Sequence, residues 1–148
     1  MKPTILAMDL EGTLISNGVS QIPRPGLFPF LEDMRIQFDE LVLFTTVPEP
    51  LARRICDLLV AEGVAPQWFA HLPYTHWNGP TKDLRFVTPD VGKALLLDDH
   101  SPYVHPGQES QWVEIPLFGS PYAEDDAGLN LAKFRIDQRL SHSAGDEA

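Results

Sequence analysis

The sequence predicts an α/β fold, a three-layer Rossmann-like arrangement around a central parallel sheet. Three short apolar runs, Thr4–Met8, Leu41–Phe44 and Ala94–Leu97, are continuous rather than alternating, as strands buried on both faces require. Each run stops at a polar residue: Asp9, Thr45 and Asp98. Stretches of helical periodicity separate the runs, and strand–helix alternation is the rhythm of a parallel sheet.

The first run reads as a buried strand that delivers the Asp9 carboxylate at its C-terminal end, with Gly12 breaking it. The chain turns at Pro23-Arg24-Pro25-Gly26. Leu27, Phe30, Leu31 and Met34 then follow at spacings of three and four, the stripe of an amphipathic helix. Pro29 falls in its first turn, where proline is tolerated. Leu41–Phe44 is the second strand. After Pro48 and Pro50, Leu51, Ile55, Leu58 and Leu59 form another helical stripe, which Gly63 closes as a C-terminal cap. From Val64 to Thr81 the chain is rich in aromatics, Pro and Gly without a period, and reads as a long loop or small irregular insertion. Ala94–Leu97 is the third strand and Trp112–Ile115 a fourth. The acidic cluster Glu124-Asp125-Asp126 suits the start of a last helix through about Leu140, because negative charge is favoured at helix N-termini.

With 148 residues and 43% hydrophobic content, the chain supplies one core. The expected organisation is a single domain over residues 1–140 followed by a flexible tail over 141–148. No apolar stretch approaches the roughly 18 to 20 residues of a membrane span, and the N-terminal apolar part is too short for a secretory signal. The expected compartment is the cytoplasm. A net charge of −10, from 21 acidic and 11 basic residues, weighs against nucleic acid and anionic membranes as partners. Cys56, the single cysteine, cannot form an internal disulfide and reads as a core-facing helix residue. His71, His76, His100 and His105 pair at spacings of five, off a common helical face and without a cysteine cluster, which argues against zinc.

In open parallel sheets the ligand crevice lies outside the carboxyl ends of the strands. Asp9, Thr45, Asp98 and Asp99 are therefore expected to meet. Carboxylates brought together repel one another unless an oxygen-preferring divalent cation sits among them, and Mg²⁺ is the natural candidate. Such a cation would also reverse the local field that an acidic chain presents to an anionic substrate.

Asp9-Leu-Glu11-Gly-Thr13-Leu resembles the first motif, Asp-x-Asp-x-Thr, of the haloacid dehalogenase (HAD) superfamily. Arg24-Pro-Gly-Leu-Phe-Pro-Phe-Leu31, Leu43-Phe-Thr45, Lys82-Asp-Leu84 and Leu96-Leu-Asp98-Asp-His-Ser-Pro102 are similar, in order and approximate spacing, to the later motifs of its NLI-interacting-factor branch, the small C-terminal-domain phosphatases. The resemblance implies that Asp9 is a nucleophile forming an aspartyl-phosphate. It implies that Thr45 donates to the phosphoryl group, and that Lys82 neutralises its charge and keeps Asp9 ionised. It further implies that Asp98 and Asp99 hold Mg²⁺, with the Asp9 carboxylate and the Glu11 backbone carbonyl completing the protein ligands. The short stretch between the Ile55 helix and Lys82 leaves little room for a cap. An open site would admit an exposed phosphomonoester on a small molecule or a phosphoprotein.

Glu11 stands where the motif has its second aspartate, the general acid and base. The acid group is kept on a side chain one methylene longer, which displaces proton delivery by about an ångström or more. Two functions follow as expectations. One is a Mg²⁺-dependent phosphohydrolase using Asp9, Glu11, Thr45 and Lys82. The other is a catalytically impaired binding module on the same fold that recognises a phosphorylated partner. Asp-x-Glu-Gly-Thr also resembles the first motif of the enolase-phosphatases, active Mg²⁺ enzymes, and this favours the hydrolase. Arg24 reads as part of the turn before the first helix, and Trp68, Tyr74 and Trp77 as core or loop anchors.

Overall fold

A computed structural model describes the backbone of residues 2–147 and the side-chain surroundings of residues 2–142. The apolar runs form four parallel strands: β1 (Ile5–Met8), β2 (Glu40–Leu43), β3 (Ala94–Asp98) and β4 (Trp112–Glu114), in the order β2-β1-β3-β4. In the register, Met8 lies opposite Leu43 on one side and Leu97 on the other. Asp9 therefore emerges level with Phe44 and Asp98. From β1 the chain moves first to one neighbour, β2, and later to the other, β3, so a topological switch point lies beyond the carboxyl end of β1, where Asp9 stands.

Residues alternate between the two faces of the sheet as the strand period dictates. Leu6, Met8, Leu41, Leu43, Leu95 and Leu97 share one buried cluster with the apolar stripes of all three helices, α1 (Leu27–Gln37), α2 (Glu49–Ala61) and α3 (Gly128–Glu147). Ile5, Ala7, Val42, Phe44, Ala94 and Leu96 face the other way, against Leu84 and the half-buried Trp77, Val87 and Val91. The third layer is thus built from the segment before β3, with short 3₁₀ turns at Leu84–Phe86 and Val91–Lys93 in place of an α-helix. Cys56 is buried on α2. Among the described residues no helix is long and apolar enough to cross a membrane.

The aromatic insertion is more ordered than its sequence suggests. A 3₁₀ turn over Gln67–His71 packs beside α2, and Pro73–Thr75 then runs along the edge of β2, with Leu43 N donating to Pro73 O and Thr75 N to Leu43 O, both at 2.9 Å. The exposed edge of the sheet is thereby covered.

The last helix departs from expectation at both ends. It starts at Gly128, not in the acidic cluster, because Asp126 stands just outside it and accepts from Gly128 N at 3.1 Å. It also passes Leu140, where the sequence placed its end, and runs to Glu147. No proline there stops it, while Leu129, Ala132, Ile136 and Leu140 anchor its buried stripe.

Arg24 is more than a turn residue. It is almost wholly buried. Its Nε donates to Asp126 Oδ2 at 2.7 Å, and its Nη1 to the carbonyls of Thr13 and Gly12 at 3.1 and 3.3 Å. The guanidinium stacks 5.4 Å from the Phe118 ring centroid. It ties the loop after β1 to the start of α3, and it fits only because residue 128 is glycine, since a Cβ there would overlap the guanidinium. Gly128→Ala is expected to destabilise the fold by about 3 kcal/mol, as overpacking against a buried, fully paired group does. Urea unfolding of the two chains measures it, and a change under 0.5 kcal/mol would contradict the packing described.

Candidate active site

Asp9 is buried at the end of β1, and Lys82, with no side-chain exposure, reaches it from the segment before β3. Lys82 Nζ lies 3.0 Å from Asp9 Oδ1 and 2.6 Å from Asp98 Oδ2. The second oxygen of Asp98 accepts from His100 N at 2.9 Å. Thr13 Oγ1 stands 3.0 Å from both Asp9 Oδ2 and Asp99 Oδ1. Asp9, Asp98 and Asp99 each offer an oxygen within 4.8 Å of the others. Four residues singled out in the sequence, Asp9, Lys82, Asp98 and Asp99, therefore meet. Thr13, which joins two of them, was visible there only as a letter of the first motif.

The local chain dictates this arrangement. After β1, Leu10 O accepts from the amides of Leu14 and Ile15 at 3.0 and 3.1 Å, a tight turn that Gly12 makes possible at φ +74°. A Cβ on Gly12 would stand 2.9 and 3.0 Å from the two Asp99 oxygens and 2.7 Å from Leu117 Cδ1. Only glycine meets both demands. Lys82 is aimed inward by its neighbours: its own N–H donates to Tyr103 O at 2.7 Å, Gln108 Oε1 accepts from Leu84 N at 2.8 Å, and Gln108 Nε2 donates to Asp83 Oδ1 at 2.8 Å. Hydrogen bonds from Arg85 hold the Asp83 carboxyl well below the ordinary carboxylate range, so this clamp stays charged.

Three carboxylates face one ammonium. Burial pushes the Asp9 carboxyl well above its ordinary value, Lys82 opposes the shift, and Asp98 adds to it. Burial raises Asp98 likewise, against the pull of Lys82. For Lys82, burial alone would favour the neutral amine, but Asp9 and Asp98 outweigh it and hold the ammonium protonated. With all three carboxyls ionised, the cluster carries more negative charge than Lys82 balances. A small oxygen-preferring divalent cation fits that excess and that set of hard donors.

Asp9 opens onto a cleft of about 280 Å³, lined also by Glu11, Thr46, Asp99, Tyr103 and Leu117. Glu11 Oε2 accepts from Gly18 N at 2.6 Å. Thr45 is buried, with Oγ1 accepting from Val47 N at 3.1 Å and its carbonyl accepting from Trp77 Nε1 at 2.9 Å. It faces a neighbouring cavity of about 250 Å³ bounded by Tyr74 and Trp77. Thr46 lines both spaces, a placement that strand-end counting in the sequence did not single out. His76 pairs with Glu49 at 3.2 Å, and His105 Nδ1 lies 2.7 Å from Thr81 Oγ1.

A comparison with known families agrees with this geometry. The family described as NLI interacting factor-like phosphatase matches residues 4–144, a span that holds every residue of the cluster.

The charge excess sets a pH dependence. A buried carboxyl that keeps its proton in the folded state while the unfolded chain releases it favours folding at low pH, and that stability is lost as pH rises from the unfolded value toward the raised folded one. With a chelator present, the melting temperature is expected to fall as pH rises above about 3.8, the ordinary value for Asp9 and Asp98. Mg²⁺ should reverse the fall. Asp9→Asn should flatten it and stabilise the chelated protein by about 1 kcal/mol at neutral pH. Thermal melts across pH, with and without Mg²⁺, check all three; a chelated protein whose stability rises through this range would contradict the charge assignment.

Proposed function

The chain belongs to the NLI interacting factor-like phosphatase family, within the HAD superfamily, and from that premise we propose that it is a cytoplasmic, Mg²⁺-dependent phosphohydrolase working through an aspartyl-phosphate on Asp9. The observation that carries this reading is the Asp9 carboxylate, fixed by Lys82 at 3.0 Å beside two further carboxylates at the mouth of an open cleft. Carboxylates form covalent phosphoryl intermediates when held in line with the phosphorus.

Catalysis divides into two displacements. In the first, an Asp9 oxygen bonds to phosphorus as the bond from phosphorus to the leaving oxygen breaks, and Glu11 delivers a proton to that oxygen. In the second, Glu11 takes a proton from water as the water oxygen bonds to phosphorus and the Asp9–phosphorus bond breaks. The enzyme is thereby restored and inorganic phosphate leaves. Lys82, fixed before the substrate arrives, offsets the charge that develops on the phosphoryl oxygens. The Thr45 hydroxyl accepts from Val47 N and so keeps its own hydrogen to donate; the resemblance assigns that donation to the phosphoryl group, while the side chain borders the neighbouring cavity and Thr46 lines both spaces. Mg²⁺ bound by Asp9, Asp98, Asp99 and the Glu11 carbonyl would supply further neutralisation of the transferring group.

The cleft is open, and the short insertion after α2 lies along the edge of β2. The substrate we assign is an exposed phosphomonoester, on a phosphoprotein or a small molecule. An aryl phosphate assayed at mildly acidic to neutral pH should be hydrolysed with Mg²⁺ and not with a chelator. Asp9→Asn should abolish turnover. Lys82→Met should lower kcat about 10²- to 10³-fold, as loss of one fixed electrostatic partner does. Glu11→Gln should lower it about 10²- to 10⁴-fold and leave phosphorylated Asp9 to accumulate, because dephosphorylation loses its base. No turnover by the folded, Mg²⁺-loaded chain on aryl phosphates and phosphopeptides would overturn the enzymatic reading in favour of a phosphate-recognising module.

A further inference from the structure

The chain after Ile15 leaves the site, forms a hairpin and returns at Pro23, with Ser16 N donating to Ile22 O at 2.8 Å and Ile22 N to Ser16 Oγ at 2.8 Å. Its tip is wired to itself. Asn17 Oδ1 accepts from Val19 N and Ser20 N at 2.9 and 2.8 Å, Gln21 N donates to Asn17 O at 3.0 Å, and Ser16 and Ser20 hydroxyls meet at 2.6 Å. Asn17 Nδ2 also donates to Tyr122 Oη at 3.2 Å, which moors the tip to the segment between β4 and α3. Within this turn the amides of Val19 and Ser20 point at Asn17, whereas that of Gly18 points at Glu11.

Building on the phosphatase reading, we infer that Gly18 is a positioning residue for Glu11: its backbone N–H engages Oε2 and fixes where the carboxyl stands, leaving Oε1 for the exchange with leaving group and water. A donor at 2.6 Å holds Oε2 as an acceptor. Oε1 has no protein donor among the described residues. The bond also explains how the longer acid is tolerated. An aspartate would fall about 1.5 Å short of the Gly18 amide, beyond hydrogen-bond range, so this hairpin is matched to glutamate. Residue 18 must also be small. A Cβ there would stand 3.2 Å from Glu11 Oε2 and 3.6 Å from Leu51 Cδ2, and would press the carboxyl out of its place.

Two measurements on the full-length, Mg²⁺-loaded chain decide the matter. Kinetically, Gly18→Ala should lower kcat roughly tenfold with little change in KM, because it displaces an acid without removing a substrate contact. In a Glu11→Asp background, where the contact is already gone, the same substitution should change kcat by less than about twofold. Spectroscopically, the Gly18 amide proton should resonate downfield in the unaltered chain and move upfield in Glu11→Asp and Glu11→Ala. This second readout changes nothing at position 18, so it decides even if Gly18→Ala fails to fold. Equal kinetic losses in both backgrounds, or an amide resonance indifferent to residue 11, would overturn the inference. An unaltered chain without turnover would instead end the phosphatase reading, and the catalytic role of Gly18 with it, while the amide shift would still report whether the contact forms.

Discussion

The site depends on one buried cation. Lys82 is enclosed with Asp9 and Asp98, and an ammonium out of water is tolerated only when its hydrogen-bonding capacity is spent on fixed anionic partners. Those partners come from the ends of two adjacent strands, so the sheet register that sets Met8 beside Leu97 also sets the two carboxylates at the distance Lys82 needs. The dependence runs the other way too. Without the ammonium, Asp9 and Asp98 would face each other and Asp99 in a buried setting with nothing to offset their charge. The hydrogen-bonded clamp of Asp83 and Gln108 on the residues flanking Lys82 has its physical reason here: an ammonium that strayed by an ångström would fail both as a structural counter-charge and as a partner for a phosphoryl group.

A second buried cation, Arg24, works on the backbone side of the same loop. Lys82 satisfies the Asp9 carboxylate where that loop begins, together with Asp98 from β3. Arg24 satisfies two carbonyls that the loop turns inward, those of Gly12 and Thr13. Each set finds its own cation, Lys82 from the segment before β3 and Arg24 held in place by the distant Asp126. This division explains how a chain of net charge −10 carries a site meant for an anion. Its overall field repels a phosphate, but the charges that matter are local, held in place and shielded from solvent, where an interaction is worth far more than at the surface.

The strands were legible in the sequence because burial on both faces leaves an unmistakable mark, an unbroken apolar run, and the helices because Leu27-Phe30-Leu31-Met34 and the stripe through Ile55 and Leu59 repeat at three and four. The carboxylates Asp9, Asp98 and Asp99 could be brought together on paper because parallel strands end on one side. Other features had no such local signature. Arg24 and Asp126 are 102 residues apart, and no periodicity links them. The start of the last helix was misplaced because an acidic residue before a helix and one in its first turn look alike in a sequence, and Asp126 serves the first role while also holding Arg24. Thr13 and Gly18 act through single atoms, a hydroxyl and a backbone amide, that carry no pattern. Thr45 and Thr46 differ in the space they face through the turn of the chain after β2, which strand-end counting does not resolve.

The open cleft sharpens the question of how water and substrate are controlled without a cap. A larger covering domain normally excludes solvent and orients the acid in one movement. Here the parts that border Asp9 are small: Glu11 and Ser16 at the base of the hairpin, and Leu117, while Asn17 at the hairpin tip is bonded to Tyr122. Leu117 is well exposed yet close enough to Gly12 to forbid a side chain there, so an apolar surface stands directly over the loop that bears Asp9 and Glu11. On the proposed mechanism, a rim of this kind holds the acid before any substrate arrives. The leaving group would then lie in solvent, and discrimination between substrates would fall to what projects beyond the phosphate, against Thr46, Tyr103 and Leu117. Glutamate would suit such a site better than aspartate, because its length lets it reach the Gly18 amide.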